Sequence, residues 1–450
     1  MKELSQNNSN IAKMLLEKVK GNYKLVVTDH NFILDAIPTE TINNIREMVK
    51  LMVDAGFEKE CSDLYICLRK EWLEDLLKNK LLGLRKMGFQ DYMIGRWIKA
   101  SKVALRILFP SERRLYDRLF SESFVSSDLC FSEVCHGATI QLLNFADSFV
   151  NRSPSAWRLF KILDLFETLC DLIPEFEVLF TDSLVNEAIK TKNRLGEVSR
   201  TIFMEFGKLI FLTPDAKLDC WVDGGIHPMT CEATGYIVLA FWSRQKLEQV
   251  LREYSTVAAN GAGTSLFDSQ MELIMEKFER NLEAKSQTYE DPALRYFFML
   301  HNISLIKYKL ESFWDDRFCT RQYLELYCKS SWSKVIDILE MDINESTASN
   351  SEADSMIGKL NLFNQKFREM CEIQSTWHVF DERLRKQIII YVENMLPAYE
   401  NFIARFETVL GINANKYRMS DIRTQLNHLF LLQDIDVDSV RGSVRNQSVS

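Results

Sequence analysis

Glycine and proline are scarce in this 450-residue chain, at 16 and 8, where an average chain of that length carries roughly 30 and 20. Turns are therefore few, which favours helices over a β-sandwich, since that needs a turn signal every ~8–12 residues. Long apolar runs are lacking too. The longest, Tyr236 to Trp242, is far below the ~18 residues that would span a bilayer. Residues 1–10 are polar, with no apolar stretch of the kind a secretory signal carries. Charge of one sign is also missing: 63 acidic and 55 basic side chains leave a net of −8, the wrong sign for a nucleic-acid partner. The ten cysteines are scattered along helical patterns, so reduced thiols in the cytosol are expected.

What is present is helical periodicity, and the fold class it predicts is all-α, an elongated rod of stacked antiparallel helical bundles. Ile42, Ile45, Val49 and Met52 form one stripe, ended by Gly56 at a C′ position. Trp97, Val103, Leu105 and Leu108 belong to a helix that Pro110 is expected to stop. Leu129, Val134, Ala138, Leu142, Phe145 and Phe149 read as one face of the next, and Ser153-Pro154 as N-cap and N1 of another. The clearest pattern runs from Asp182 to Leu212, with Leu184, Ala188, Leu195, Val198, Ile202, Phe206 and Leu209 on one side and Lys190, Lys192, Arg194, Arg200 and Lys208 opposite. Residues 1–33 read as a short polar leader holding one amphipathic stretch, Ile11 to Val19. Residues 34–433 form the helical body, with possible sub-bundles 34–221 and 222–433. Ser255–Ser265 and Asp342–Ser355 read as joints, and 434–450 as a disordered tail.

Catalytic signatures are absent: there is no G-x-S-x-G, H-E-x-x-H, phosphate loop or kinase set. No catalytic residue, cofactor or metal is therefore assigned. The nearest thing to a metal set is Cys220, His227 and Cys231, then Cys130, Cys135 and His136, neither with paired ligand spacing. A metal-dependent hydrolase using the first set is the enzymatic alternative. Three basic clusters stand out: Arg113, Arg114 and Arg118; Arg383, Arg385 and Lys386; and Lys416, Arg418 and Arg423. None reaches the four charges that draw a segment to an acidic leaflet. From Asp381 onward nine basic residues balance nine acidic ones. On residues alone each cluster reads as a solvated face.

Particular strings go further. Trp97-Ile98-Lys99-Ala100, then Phe109-Pro110-Ser111-Glu112-Arg113-Arg114-Leu115, are followed by Asp128 to Glu133 and by Gln141-Leu142-Leu143-Asn144-Phe145. The turn Gly224-Gly225-Ile226-His227-Pro228-Met229-Thr230 comes next, then Ser331-Trp332, Phe363-Asn364, Gln374-Ser375-Thr376-Trp377 and Lys416-Tyr417. In this order they resemble the plant-type seventy-kilodalton subunit family of the exocyst. The resemblance implies a non-enzymatic protein of the cytosol and the plasma-membrane periphery that tethers secretory vesicles. Its implied partners are other exocyst subunits, small GTPases and phosphoinositides such as phosphatidylinositol 4,5-bisphosphate. Where the family reads K-Y-x-K-Y, this chain has Lys416-Tyr417-Arg418-Met419-Ser420. Lys416, Arg418 and Arg423 are accordingly the candidate lipid-binding residues, with Ser420 expected to cap the helix that follows. The alternative is a shortened, diverged interaction protein that binds other partners, for example in defence signalling, outside the full complex. At the glycine turn, Pro228 is expected to start a helix and His227 to serve as a hydrogen-bonding residue at its end.

Overall fold

The computed structural model describes residues 32–82, 92–120, 127–151, 153–180, 182–211, 224–254, 265–313, 320–339, 349–379, 381–410 and 418–431. Among these residues every regular element is helical and no strand occurs. They fall into two compact units: Met1–Leu209 with Trp242–Gln270, and Ile210–Phe241 with Met271–Ser450. The sub-bundles read from sequence cut the chain once. These boundaries cut it three times, each inside a helix: Phe206–Phe211, Pro228–Trp242 and Leu266–Ser286. A continuing helix carries no turn signal, so composition does not mark such places.

In the first unit, helix Glu58–Asp75 lies along Ser127–Asp147, and Ala156–Leu179 along Asp182–Met204. The stripe expected on the last of these is its buried face: Leu184, Ala188, Leu195 and Ile202 are in the core. Gly196 lies on the same side, where a Cβ would fall 2.2 Å from the Tyr254 ring. Glycine is what lets helix Arg244–Tyr254 approach so closely. The polar face is solvated but charge-compensated. Lys190 pairs with Glu187, Lys192 with Glu253 and Arg194 with Asp147.

Three local expectations change. Pro110 does not stop a helix: a wide π-helical turn, Ala104–Leu108, precedes it, and it lies in the first turn of Phe109–Leu119. The helix runs unbroken through that turn, where Phe109 N–H bonds the Ala104 carbonyl five residues back, and this wider bonding accommodates a following residue that has no N–H. The N-cap of Ala156–Leu179 is Ser155, not Ser153, so Pro154 lies outside the helix. Leu129 is 67% exposed; five residues before Val134, it points about 140° away from that stripe.

In the second unit a core cluster is built around Phe297, Tyr327, Trp332, Phe363, Trp377 and Tyr399. Its helices are Pro292–Leu310, Thr320–Ser330, Trp332–Ile336, Ser349–Gln374, Glu382–Glu393, Pro397–Leu410 and Met419–Asn427. Of the joint expected at Asp342–Ser355, residues 349–355 are helical; the rest, like most of Ser255–Ser265 and all of 434–450, lies outside the described residues.

Candidate functional site

Several of the strings singled out in the sequence are tied into the core of their own unit. Trp97 is fully buried and its Nε1–H donates to the Leu142 carbonyl at 2.8 Å, while its ring stacks 6.2 Å from that of Phe145. Ser111 Oγ accepts the Ile33 N–H at 2.6 Å. Beside it Glu112, 1% exposed, accepts from Tyr65 Oη at 2.7 Å and from Arg69 Nε at 2.8 Å, and Arg69 is itself 3% exposed. A buried carboxylate with a forked guanidinium partner and a phenol has its charge matched and its lone pairs filled. Burial first, then the Glu112 charge, pushes the Tyr65 phenol well above its ordinary value. Arg113 reaches outward instead, to Asp128 and over the Phe131 ring.

The second unit repeats the arrangement. Gly224 has φ +66°, a conformation that suits glycine. The turn it opens is fastened to Asn302, which is wholly buried mid-helix. Asn302 Oδ1 accepts from the His227 N–H at 2.9 Å and from Thr230 Oγ1 at 2.6 Å, and its Nδ2 donates to the Gly225 carbonyl at 3.3 Å. Pro228 starts helix Pro228–Trp242, and His227 Nδ1 accepts the Met229 N–H at 3.1 Å, so the imidazole caps that helix. Burial, then the Lys285 charge, holds its pKa below the usual histidine value. Farther on, Tyr327 Oη donates to Gln374 Oε1 at 2.7 Å and accepts from Trp332 Nε1 at 3.1 Å. Gln374 belongs to one of the strings read in the sequence, whereas Asn302 and Tyr327 were not singled out there. For Asn302 a signal existed, a lone amide in the apolar run Tyr296 to Ile303.

Sites for chemistry are not assembled from these parts. Among the described residues no three His, Cys, Asp or Glu side chains converge as a metal set. Cys220 lies outside the described residues, Cys231 is exposed, and Cys130 and Cys135 are buried while His136 is exposed. Burial raises the Cys135 and Cys231 thiols rather than activating them, and lifts Cys170 to about 11 and Cys328 to about 12. Among the described residues no helix is long and apolar enough to cross a membrane.

Of the three candidate lipid-binding residues, Lys416 lies outside the described residues. Arg418 is exposed at the N-cap of helix Met419–Asn427. Ser420 is not the cap: it lies inside the first turn, and the Asp421 carboxylate accepts the Arg418 N–H at 2.9 Å. The Asp421 carboxylate, reaching back to the cap N–H, satisfies that helix end, whereas the Ser420 hydroxyl lies two residues past the cap position. Arg423 is exposed, 3.8 Å from Glu400. Within the 383–386 cluster, Arg385 is buried and donates to the Asn427 and Leu429 carbonyls.

An all-helical scaffold whose signature strings build its cores, and whose basic residues are partly spent on holding helices together, is the class of protein these features define. Residues 95–428 match the family model for the C-terminal region of the Exo70 exocyst complex subunit, and the chain belongs to that family. It is 43% identical to exocyst complex component EXO70B1 of Arabidopsis thaliana over 90% of this chain and 69% of that one. To EXO70B2 of the same plant it is 36% identical, over 90% and 71%. The S. cerevisiae Exo70 structure refined with additional residues superposes with a TM-score of 0.51 at 14% identity, covering 95% of this chain and 86% of that one. That likeness concerns the fold alone.

Proposed function

We propose that this chain is a non-catalytic exocyst-type subunit that tethers secretory vesicles to the plasma membrane. It does so by binding other exocyst subunits, with small GTPases as regulators, and phosphoinositide lipid peripherally. The observation that carries the reading is the family match across 95–428, supported by the way the family strings at Trp97, Glu112, the 224–230 turn and Trp332 are each tied by buried hydrogen bonds into their own unit. Helices fixed in this way offer rigid outer faces for docking, which suits a tether. For lipid, the reading rests on Lys416, Arg418 and Arg423. Each near-surface cation adds about 1 kcal/mol of attraction to an acidic leaflet, so three give weak, salt-sensitive binding.

Two measurements test this. Flotation with vesicles containing phosphatidylinositol 4,5-bisphosphate is expected to show binding at low salt that fades at physiological salt and is lost in Lys416→Glu, Arg418→Glu. Absence of binding at low salt, or its persistence in the double variant, refutes the lipid site. Affinity purification from the source tissue is expected to recover other exocyst subunits. Recovery of a different, reproducible partner set without them would favour an interaction protein acting outside the complex.

A further inference from the structure

The second unit holds a cleft of about 360 Å³ that no part of this reading uses. Its apolar walls are Ile226, Leu305 and Leu384, and its charged rim is Lys309, Arg383 and Asp381. The geometry follows from helix arithmetic. Asn302, Leu305 and Lys309 are spaced i, i+3, i+7 and share one face of Pro292–Leu310. Asn302 fastens the glycine turn to that face, which sets Ile226 beside Leu305. Arg383 comes from the first turn of Glu382–Glu393, whose N-cap is Asp381.

The charges are unevenly committed. Asp381 Oδ1 accepts the Arg383 backbone N–H at 2.9 Å. Neighbouring Arg385 and Lys386 are engaged with Glu382. Among the described residues, however, no carboxylate pairs with the Arg383 guanidinium or the Lys309 ammonium, and Lys309 lies 5.7 Å from the ring centroid of Tyr308, itself 58% exposed. Two uncommitted cations thus flank an apolar slot with an exposed aromatic at its edge.

From this arrangement we infer that the cleft binds a short acidic peptide segment of a partner protein. One large apolar side chain enters between Ile226, Leu305 and Leu384, and flanking carboxylates meet the Arg383 fork and Lys309. A lipid headgroup fits less well. Attraction to an acidic leaflet grows with each near-surface cation, whereas this site has two beside the Asp381 carboxylate and spends much of its lining on apolar contact, the composition of a peptide anchor site.

The test is fluorescence anisotropy with the whole chain at low salt and the labelled peptide Gly-Asp-Glu-Phe-Glu-Gly. Two controls accompany it: its amide counterpart Gly-Asn-Gln-Phe-Gln-Gly, and the acidic peptide with Gly in place of Phe. The acidic, Phe-bearing peptide is expected to bind, and both controls to bind at least about tenfold more weakly. Lys309→Glu with Arg383→Glu, both exposed positions, is expected to lower affinity at least about tenfold with unchanged circular dichroism. Arg383→Lys should keep part of the binding. Equal binding of the amide peptide, unchanged affinity in the reversed variant, or no binding at low salt overturns the inference. So does loss of vesicle flotation in the reversed variant without any effect on the peptide, which would make the cleft a lipid site.

Discussion

Replacing Glu112 by alanine tests whether the family string at 109–115 is architecture. In the folded chain Arg69 is 3% exposed, and its guanidinium is held by Glu112 through Nε at 2.8 Å and Nη2 at 2.5 Å, with Tyr65 Oη on the same carboxylate at 2.7 Å. Removing the carboxylate takes the anionic partner from a buried guanidinium, which also lies over the Trp72 ring, and the acceptor from a buried phenol. Breaking a buried pair from one side costs roughly 3–5 kcal/mol, and in a unit of about 200 residues each kcal/mol moves Tm by about 2–4 °C. A fall of roughly 6–20 °C in the first thermal transition, followed by far-UV circular dichroism, is therefore expected. The same stranded groups dictate a rescue. Tyr65→Phe, Arg69→Met and Glu112→Leu together remove the carboxylate and both of these donors while nearly keeping volume, so most of the loss should return. A Glu112→Ala chain melting within about 2 °C of the parent would refute the argument. So would a triple variant no better than the single one, because the cost would then come from packing and not from a stranded charge.

Asn302→Ala removes the anchor of the 224–230 turn, leaving a buried hydroxyl and two backbone groups without their partner; a loss of about 3 kcal/mol in urea unfolding is expected. Because burial lowers the His227 pKa in the folded state, the unfolded chain takes up the proton first. This contribution to stability is complete above the ordinary histidine pKa and falls as pH drops below it. His227→Asn keeps a capping acceptor, so its urea midpoint should change less than the parent's between about pH 7.5 and about pH 5.5. Gly196→Ala should destabilise the first unit in thermal melts, since its Cβ would fall 2.2 Å from the Tyr254 ring, which would have to leave its place and its hydrogen bond to Asn193. Glu400→Gln frees Arg423 from a carboxylate 3.8 Å away and should strengthen phosphoinositide vesicle binding by about twofold to fivefold in flotation.

Periodicity and the scarcity of turn residues made the helical class legible, and ordered strings made the family legible, because both are written in neighbouring residues. What stayed hidden is whatever depends on partners far apart in the chain. Glu112, in the run Glu112-Arg113-Arg114, reads as one more solvated charge, yet it is buried against Arg69, 43 residues earlier. The charged face of Asp182–Met204 shows the same divide within one helix. Lys190 and Glu187 are three residues apart and visible as a pair; Lys192 and Glu253 are 61 apart and are not. The candidate lipid residues were found by type and position, but sequence could not say which cations are already spent. Arg385 holds the Asn427 and Leu429 carbonyls and is lost to any ligand, while Arg383, two residues away, has no carboxylate partner among the described residues. On a helical scaffold the functional surface is the set of charges left over after the fold has taken its own. That remainder is fixed by tertiary pairing, so it can be read only once the helices are in place.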